Sequence, residues 1–161
     1  MYTVGIITAS DRASRGLRED KSGLRVIDMV VGRGHSVSKY IILPDDEEKL
    51  KEEMIDMCDR LGVNLLLTTG GTGLSRRDVT PEATRSIIEK ETPGIAEAIR
   101  FFSLAITPRA MLSRGVSGIR KETLIINLPG SPKAVDETLN FIIESVEHGL
   151  EVLLGKVADC G

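Results

Sequence analysis

The fold is decided by the stretch Leu65-Leu66-Leu67-Thr68-Thr69-Gly70-Gly71-Thr72-Gly73, in which an apolar run stops abruptly at a cluster of Gly and Thr. A short apolar run bounded by glycines is typical of a buried strand in a parallel sheet. In open α/β sheets, ligands bind in the crevice beyond the carboxyl ends of such strands. The glycines would let backbone N–H groups approach an anionic ligand without obstruction by a Cβ atom. Taken alone, the cluster predicts either a tight turn or a phosphate site.

The residues that follow the cluster bear on that choice. Arg76 and Arg77 add positive charge and Asp78 adds a carboxylate, a combination that favours a phosphate or nucleotide site over a turn. Thr80-Pro81-Glu82 then predicts a helix start, with Thr80 as the N-cap. The stretch lacks the Gly-Lys-Ser/Thr ending of a P-loop, and it is not the G-x-G-x-x-G dinucleotide motif.

The composition of the whole chain restricts the class of protein. With 161 residues, of which 41% are hydrophobic and 28% charged, the chain is predicted to form a single soluble globular domain spanning residues 1–161. Aromatic residues make up only 3%, so a stacking platform for single-stranded nucleic acid is not expected. The net charge of −3 provides no general basic surface for nucleic acid.

Two further patterns point to the cytoplasm. The segment Met1-Tyr2-Thr3-Val4-Gly5 has no basic region of a signal peptide, and no apolar stretch is long enough to span a membrane. Cys58 and Cys160 are too scattered for a disulfide framework, and His35 and His148 are too isolated for a His-based metal site. We therefore expect a cytoplasmic protein with reduced thiols and no membrane partner.

Hydrophobic periodicity and turn residues predict strands that alternate with helices. Strands are predicted at residues 4–9, 36–43, 65–69, 116–120 and 123–128. Helices are predicted at residues 23–32, 47–61, 81–91, 93–104 and 132–154. Phe101 and Phe102, in the fourth of these helices, are predicted to pack in the core. The alternation predicts an α/β fold with a mainly parallel sheet.

Four polar loops each follow a predicted strand, so in a parallel sheet all four would open at the same edge. They span residues 10–23, 44–46, 70–78 and 129–133. Three of them also have a purely structural interpretation, because Ser22, Asp45 or Asp46, and Ser131 could simply cap the helices that follow. Their convergence on one crevice is what favours a shared site.

Asp45 and Asp78 would lie at that same edge, which allows a metal site. Paired carboxylates suit Mg²⁺, which usually binds one or two carboxylates together with substrate phosphates. In phosphoryl or nucleotidyl transfer such a metal neutralises developing charge, and Arg76 or Arg77 could offset charge on a triphosphate. Nothing in the sequence demands a catalytic His or Cys.

Six sequence blocks occur in a characteristic order between about residue 4 and about residue 155. They are Ser10-Asp11-Arg12, Asp20-Lys21-Ser22-Gly23, Pro44-Asp45, Thr69-Gly70-Gly71-Thr72-Gly73, Arg77-Asp78-Val79-Thr80-Pro81-Glu82 and Leu128-Pro129-Gly130-Ser131-Pro132-Lys133. In this combination the chain resembles the molybdopterin adenylyltransferase family, which includes bacterial molybdenum-cofactor biosynthesis proteins and the amino-terminal domain of gephyrin.

The resemblance implies a three-layer α/β/α domain. It also implies an enzyme that adenylylates the terminal phosphate of molybdopterin with Mg-ATP, giving adenylyl-molybdopterin and pyrophosphate. A homotrimer, and a partner enzyme that inserts molybdate into the product, are implied as well.

By position, the resemblance assigns site residues. Asp45 and Asp78 match the family's two essential carboxylates, and they are assigned as catalytic residues and Mg²⁺ ligands. The residues assigned to nucleotide and phosphate binding are Thr69, Gly70, Gly71, Thr72, Gly73, Arg77, Ser10, Asp11, Asp20 and Gly23. Those assigned to molybdopterin binding are Ser103, Ser113, Pro129, Gly130, Ser131 and Pro132.

Two other functions stay open at this point. One is a non-catalytic molybdopterin-binding or carrier protein of the same pathway, and the other is a nucleotide-binding interaction module in an oligomer. Asp45 and Asp78 favour the enzyme over the carrier, because binding alone needs no pair of metal ligands. Ser103, Ser113 and the 129–132 loop oppose the interaction module, because they imply a second substrate.

Overall fold

A computed structural model describes residues 1–157 of the chain, and the strands in that range form one sheet. The strands are β1 (Thr3–Ala9), β2 (Ser36–Leu43), β3 (Leu65–Thr69), β4 (Lys90–Glu91), β5 (Ser117–Arg120) and β6 (Thr123–Leu128). Their order in the sheet is β2-β1-β3-β6-β5-β4. The strands β2, β1, β3 and β6 run parallel, and β5 pairs antiparallel with both β6 and β4. The predicted mainly parallel sheet is thereby confirmed.

The register of the parallel strands aligns their carboxyl ends. Ala9 pairs with Leu43, Thr8 pairs with Thr69, and Thr69 pairs with Leu128. The loops that follow β1, β2, β3 and β6 therefore open at one edge of the sheet, as the sequence predicted.

Helices cover both faces of this sheet. They are α1 (Asp11–Ser14), α2 (Lys21–Gly32), α3 (Glu47–Ile55), α4 (Thr80–Ile87), α5 (Pro93–Leu104) and α6 (Pro132–Leu153). A π-helical turn at Asp56–Arg60 continues α3, and a 3₁₀ helix at Pro108–Leu112 follows α5. None of these helices is both long and apolar enough to cross a bilayer, within the part of the chain that the structure describes.

Successive residues of the central strands point to opposite faces of the sheet and pack in two separate hydrophobic cores. Ile6 and Leu67 pack with apolar side chains of α2, α5 and α6 on one face. Ile7, Leu66 and Ile125 pack with those of α3 and α4 on the other. Apolar burial on both faces of the sheet gives the three layers of an α/β/α domain, which confirms the expected fold class.

Two predicted helix caps are wrong and two are confirmed. Thr80 is buried and donates its hydroxyl to the Gly70 carbonyl at 3.0 Å, while Val79 occupies the N-cap position. Asp20, and not Ser22, caps α2 by accepting from the Gly23 amide. The other two predictions are confirmed, because Asp46 caps α3 and Ser131 caps α6.

The prediction that Phe101 packs in the core is also wrong, because this side chain is 77% exposed. Phe102 is partly buried and stacks on Phe141 of α6, with ring centroids 4.3 Å apart.

Cys58 lies buried in the π-helical turn, and burial raises the pKa of its thiol to about 11. Cys160 lies outside the described residues.

The end of α2 is fastened to α6 by one carboxylate. Glu147 accepts hydrogen bonds from Arg33 Nε at 2.7 Å and Nη2 at 2.6 Å, and its Oε1 lies 2.9 Å from His35 Nε2. The bonds from Arg33 are the main cause of a Glu147 pKa below its ordinary value. A carboxylate with a lowered pKa stabilises the fold above its unfolded pKa, and this contribution disappears as pH falls through the folded pKa.

We predict that Glu147→Gln lowers the free energy of unfolding by about 1 kcal/mol at neutral pH, because two charge-assisted bonds are weakened. Urea titrations at pH 7 and near pH 3 would measure the difference from the wild type, which should shrink at the acid pH. Glu97→Gln, at an exposed position of α5, is the control. An equal loss of stability at both pH values would contradict this role for Glu147.

Candidate active site

The carboxyl ends of β1, β3 and β6 open onto a cavity of about 740 Å³. Residues from the loops after all three strands and from the start of α2 line it. Seven of these are predicted site residues: Ser10, Asp20, Thr69, Gly70, Gly130, Ser131 and Pro132. The cavity therefore brings residues assigned to the nucleotide together with residues assigned to molybdopterin.

Two hydroxyl groups fix the Pro129–Gly130 turn to the rest of this edge. Thr69 Oγ1 donates to the Pro129 carbonyl at 2.6 Å, and Ser22 Oγ donates to the Gly130 carbonyl at 2.7 Å. Ser22, expected as a possible cap, thus connects α2 to the turn before α6. The wall of the cavity is consequently built from three segments that hold one another.

Gly70 and Gly71 occupy backbone conformations that favour glycine, with φ of 89° and 66°. A Cβ atom on Gly70 would collide with the carbonyl oxygen of Ala9 at the end of β1. A Cβ atom on Gly71 would collide with Thr80 Oγ1 and would lie 3.1 Å from Asp45 Oδ1. The glycine cluster is therefore both a tight turn and a close approach of backbone to a carboxylate.

Asp20 is buried at the start of α2, beside the cavity. Its Oδ1 accepts from the Gly23 amide at 2.9 Å, and its Oδ2 accepts from the Tyr40 hydroxyl at 2.5 Å. Burial and the bond to Asp20 raise the pKa of Tyr40. Gly23, assigned to phosphate binding, donates its N–H to Asp20 in this structure.

A second cluster of predicted site residues lies beside the glycine loop and consists of Asp11, Asp45, Arg77 and Asp78. The Asp11 amide donates to Asp45 Oδ2 at 2.9 Å, and the Asp45 amide donates to Asp11 Oδ1 at 3.1 Å. Arg77 completes the cluster with two bonds of 2.9 Å to the carboxylate of Asp11. These reciprocal bonds lock the loops after β1, β2 and β3 together.

The electrostatics of this cluster single out Asp45. Burial raises the pKa of Asp45, and the neighbouring charges of Asp11 and Asp78 raise it further. By contrast, the hydrogen bonds from Arg77 lower the pKa of Asp11. Arg77 thus pairs with Asp11, whereas within residues 1–157 neither Asp45 nor Asp78 forms an ion pair.

Asp45 and Asp78 both lie against the glycine loop, and carboxylate oxygens are ligands that Mg²⁺ accepts. In residues 1–157 no group of three or more His, Cys, Asp or Glu side chains is arranged to hold a metal by itself. Mg²⁺ typically takes only one or two carboxylates and completes its shell with water and substrate phosphates, so two hard oxygen donors are enough.

The two serines assigned to molybdopterin are placed differently from each other. Ser103 lies in the last turn of α5, and Ser113 follows the 3₁₀ helix, where its Oγ accepts from the Gly115 amide at 3.3 Å. Neither belongs to the lining of the cavity. The Ser113 segment nevertheless reaches the glycine loop, because the Arg114 amide donates to the Thr72 carbonyl at 2.9 Å.

The sequence analysis did not identify several residues that support this site through hydrogen bonds. Asn127 is buried in β6, where its amide group donates to Thr68 Oγ1 at 3.0 Å and to Thr84 Oγ1 at 2.9 Å. A polar residue inside the apolar run of β6 was the available signal. Tyr40 and Arg114 carried no comparable signal, because their partners come from distant parts of the chain.

Comparison with known proteins places this geometry in a family. The family model "Probable molybdopterin binding domain" matches residues 5–148. Molybdopterin adenylyltransferase of Helicobacter pylori is 38% identical over 95% of this chain and 88% of its own length. The enzyme of the same name from Haemophilus influenzae is 42% identical over 86% of this chain and 72% of its own length.

Solved structures agree with the sequence comparisons. The molybdopterin biosynthesis enzyme MoaB of Thermus thermophilus is 44% identical, with a TM-score of 0.91 over 96% of this chain and 98% of that one. The molybdopterin biosynthesis Mog protein of Mycobacterium ulcerans is 36% identical, with a TM-score of 0.89 over 95% and 99%. These matches show that the chain belongs to the molybdopterin-binding domain family of molybdenum-cofactor biosynthesis proteins.

Proposed function

We propose that this protein catalyses the Mg-ATP-dependent adenylylation of molybdopterin in molybdenum-cofactor biosynthesis, giving adenylyl-molybdopterin and pyrophosphate. The observation that carries the proposal is the placement of Asp45 and Asp78 against the glycine loop, at the sheet edge that also holds the cavity. Relatives named for this activity match most of the chain.

In the proposed reaction a terminal phosphate oxygen of molybdopterin attacks the α-phosphorus of ATP. A new P–O bond forms there, and the bond to the departing pyrophosphate breaks. No covalent intermediate on the enzyme is required, so catalysis consists of positioning two anionic substrates and stabilising charge. One cavity lined by residues assigned to both substrates suits that requirement.

The chain's own groups divide this work between them. Backbone N–H groups from Gly70 to Gly73 would bind phosphate oxygens, because three of these four residues have no Cβ atom to obstruct a close approach. Asp45 and Asp78 would hold Mg²⁺, which supplies charge neutralisation to the phosphates. Arg77, paired with the Asp11 carboxylate, keeps the loops after β1 and β3 aligned.

We predict that Asp78→Asn lowers kcat for adenylyl-molybdopterin formation by about 100-fold or more, because a metal-binding charge at the phosphates is lost. The fold should survive, since an Asn oxygen can still accept the bond that the Ser75 amide donates to Asp78 Oδ2 at 2.9 Å. Single-turnover conversion of molybdopterin with Mg-ATP would measure the effect.

Asp28→Asn, an exposed carboxylate on α2, is the matched control and should keep wild-type activity. Full activity of Asp78→Asn would remove the proposed role of this carboxylate. Tight molybdopterin binding by the wild type without any conversion would instead support the carrier function.

The proposal extends to a homotrimer. Several large apolar side chains are exposed on α5 and on the segment after it, and exposed apolar surface is typical of an interface between proteins. They are Phe101, Leu104, Ile106, Met111 and Leu112, with exposed fractions of 77%, 41%, 46%, 64% and 48%. A molybdate-inserting partner enzyme and a cytoplasmic location stay predictions from the sequence.

We predict that Phe101→Lys shifts the assembly toward monomer, because a charge in an apolar interface must be desolvated. Sedimentation velocity over a range of protein concentrations would measure the mass. Val31→Lys, at a similarly exposed apolar position on α2, is the control and should leave the assembly unchanged. A wild type that stays monomeric at high concentration would contradict the trimer.

A further inference from the structure

The Arg114 side chain bonds to three separate parts of the glycine loop and its helix. Its Nε donates to the Gly73 carbonyl at 2.7 Å, and its Nη2 donates to the Asp78 carbonyl at 2.8 Å. Its Nη1 pairs with the Glu82 carboxylate in the first turn of α4. One guanidinium group therefore spans the segment from Gly73 to Glu82.

The part of this segment between Gly73 and Asp78 lies at the surface, whereas Thr80 anchors its far end by donating to the Gly70 carbonyl at 3.0 Å. The side chains between Gly73 and Asp78 are exposed, and Leu74 at 65% exposure does not pack in the core. Apart from the bonds of Arg114, the contacts between Gly73 and Asp78 include two others. The Ser75 amide donates to the Asp78 carboxylate, and Arg77 pairs with Asp11. Both of those contacts act at the surface, whereas Arg114 is two-thirds buried beneath the loop.

The geometry of arginine matters at this position. A guanidinium presents its N–H donors in a fixed planar fork, so it can satisfy two carbonyls and a carboxylate at the same time. A lysine at the same position would keep the charge but could not match this arrangement. The pairing also lowers the pKa of Glu82, which keeps that carboxylate ionised and available to Arg114.

Arg114 also joins the two halves of the proposed site. It directly follows Ser113, which is assigned to molybdopterin, and its backbone amide donates to the Thr72 carbonyl at 2.9 Å. Its side chain holds the backbone of Asp78, which is assigned to the metal. The segment next to the assigned pterin residue and the phosphate loop are consequently parts of one rigid unit.

We propose that Arg114 is a positioning residue that fixes the phosphate loop and Asp78 for adenylyl transfer, an inference that rests on the proposed function. Arg114 is held away from the reacting atoms by its own hydrogen bonds and acts through the loop backbone. Displacement of a catalytic group by about 1 Å is enough to lower a rate by about 100-fold. Loss of the three contacts should therefore affect catalysis more than stability.

We predict that Arg114→Gln lowers kcat/KM for Mg-ATP by about 30- to 100-fold while the affinity for molybdopterin changes less than about threefold. Arg114→Lys should fall between this variant and the wild type. Hydrogen exchange of the amides at 73–78 should accelerate by about tenfold in Arg114→Gln, with the central strands unchanged. Arg85→Gln, an exposed arginine on α4, is the control expected to match the wild type.

The exchange measurement keeps the test independent of the enzyme assay. Unchanged exchange at 73–78 in Arg114→Gln would overturn the proposal, and so would faster exchange throughout the protein or an equal loss of molybdopterin affinity. Activity of Arg114→Lys equal to the wild type would overturn the requirement for the guanidinium fork. If the wild type forms no adenylyl-molybdopterin, the proposed function fails, and the positioning role in that reaction fails with it.

Discussion

The site depends on the contact between the backbone of Gly70 and the carbonyl oxygen of Ala9, where the ends of β3 and β1 meet. Parallel pairing of Thr8 with Thr69 brings these two chain ends side by side. Gly130, after β6, approaches so closely that its Cβ position would lie 3.4 Å from Gly70 Cα. Because Gly70 and Gly130 have no Cβ atom, the turns approach one another at backbone distance.

Charge is distributed unevenly around that backbone. Arg77 compensates Asp11, and the reciprocal amide bonds between Asp11 and Asp45 hold the two acids in place. Asp45 is half-buried and has a raised pKa, so its ionised form is costly until a cation reaches it. Under the proposed function, Mg²⁺ bound by this carboxylate would offset that cost.

The precision of the site comes largely from side chains that do not face the cavity. Asn127 joins β6 to Thr68 and Thr84 beneath the glycine loop, and Thr80 returns a hydrogen bond to Gly70. Arg114 holds the outer part of the same loop. Hydrogen-bonded polar groups in the interior rigidify the structure around them.

The sequence by itself determined the α/β class, the strands 36–43 and 65–69, and the four loops at one sheet edge, because hydrophobic period and turn residues are local signals. Only the tertiary structure decided that Thr80 and Ser22 hold loops in place instead of capping helices, that Phe101 is exposed, and that Arg114 bonds to the glycine loop. Those outcomes depend on partners that are distant in the chain. The spacing of residues in a sequence does not predict which distant carbonyl a side chain will bond to after folding.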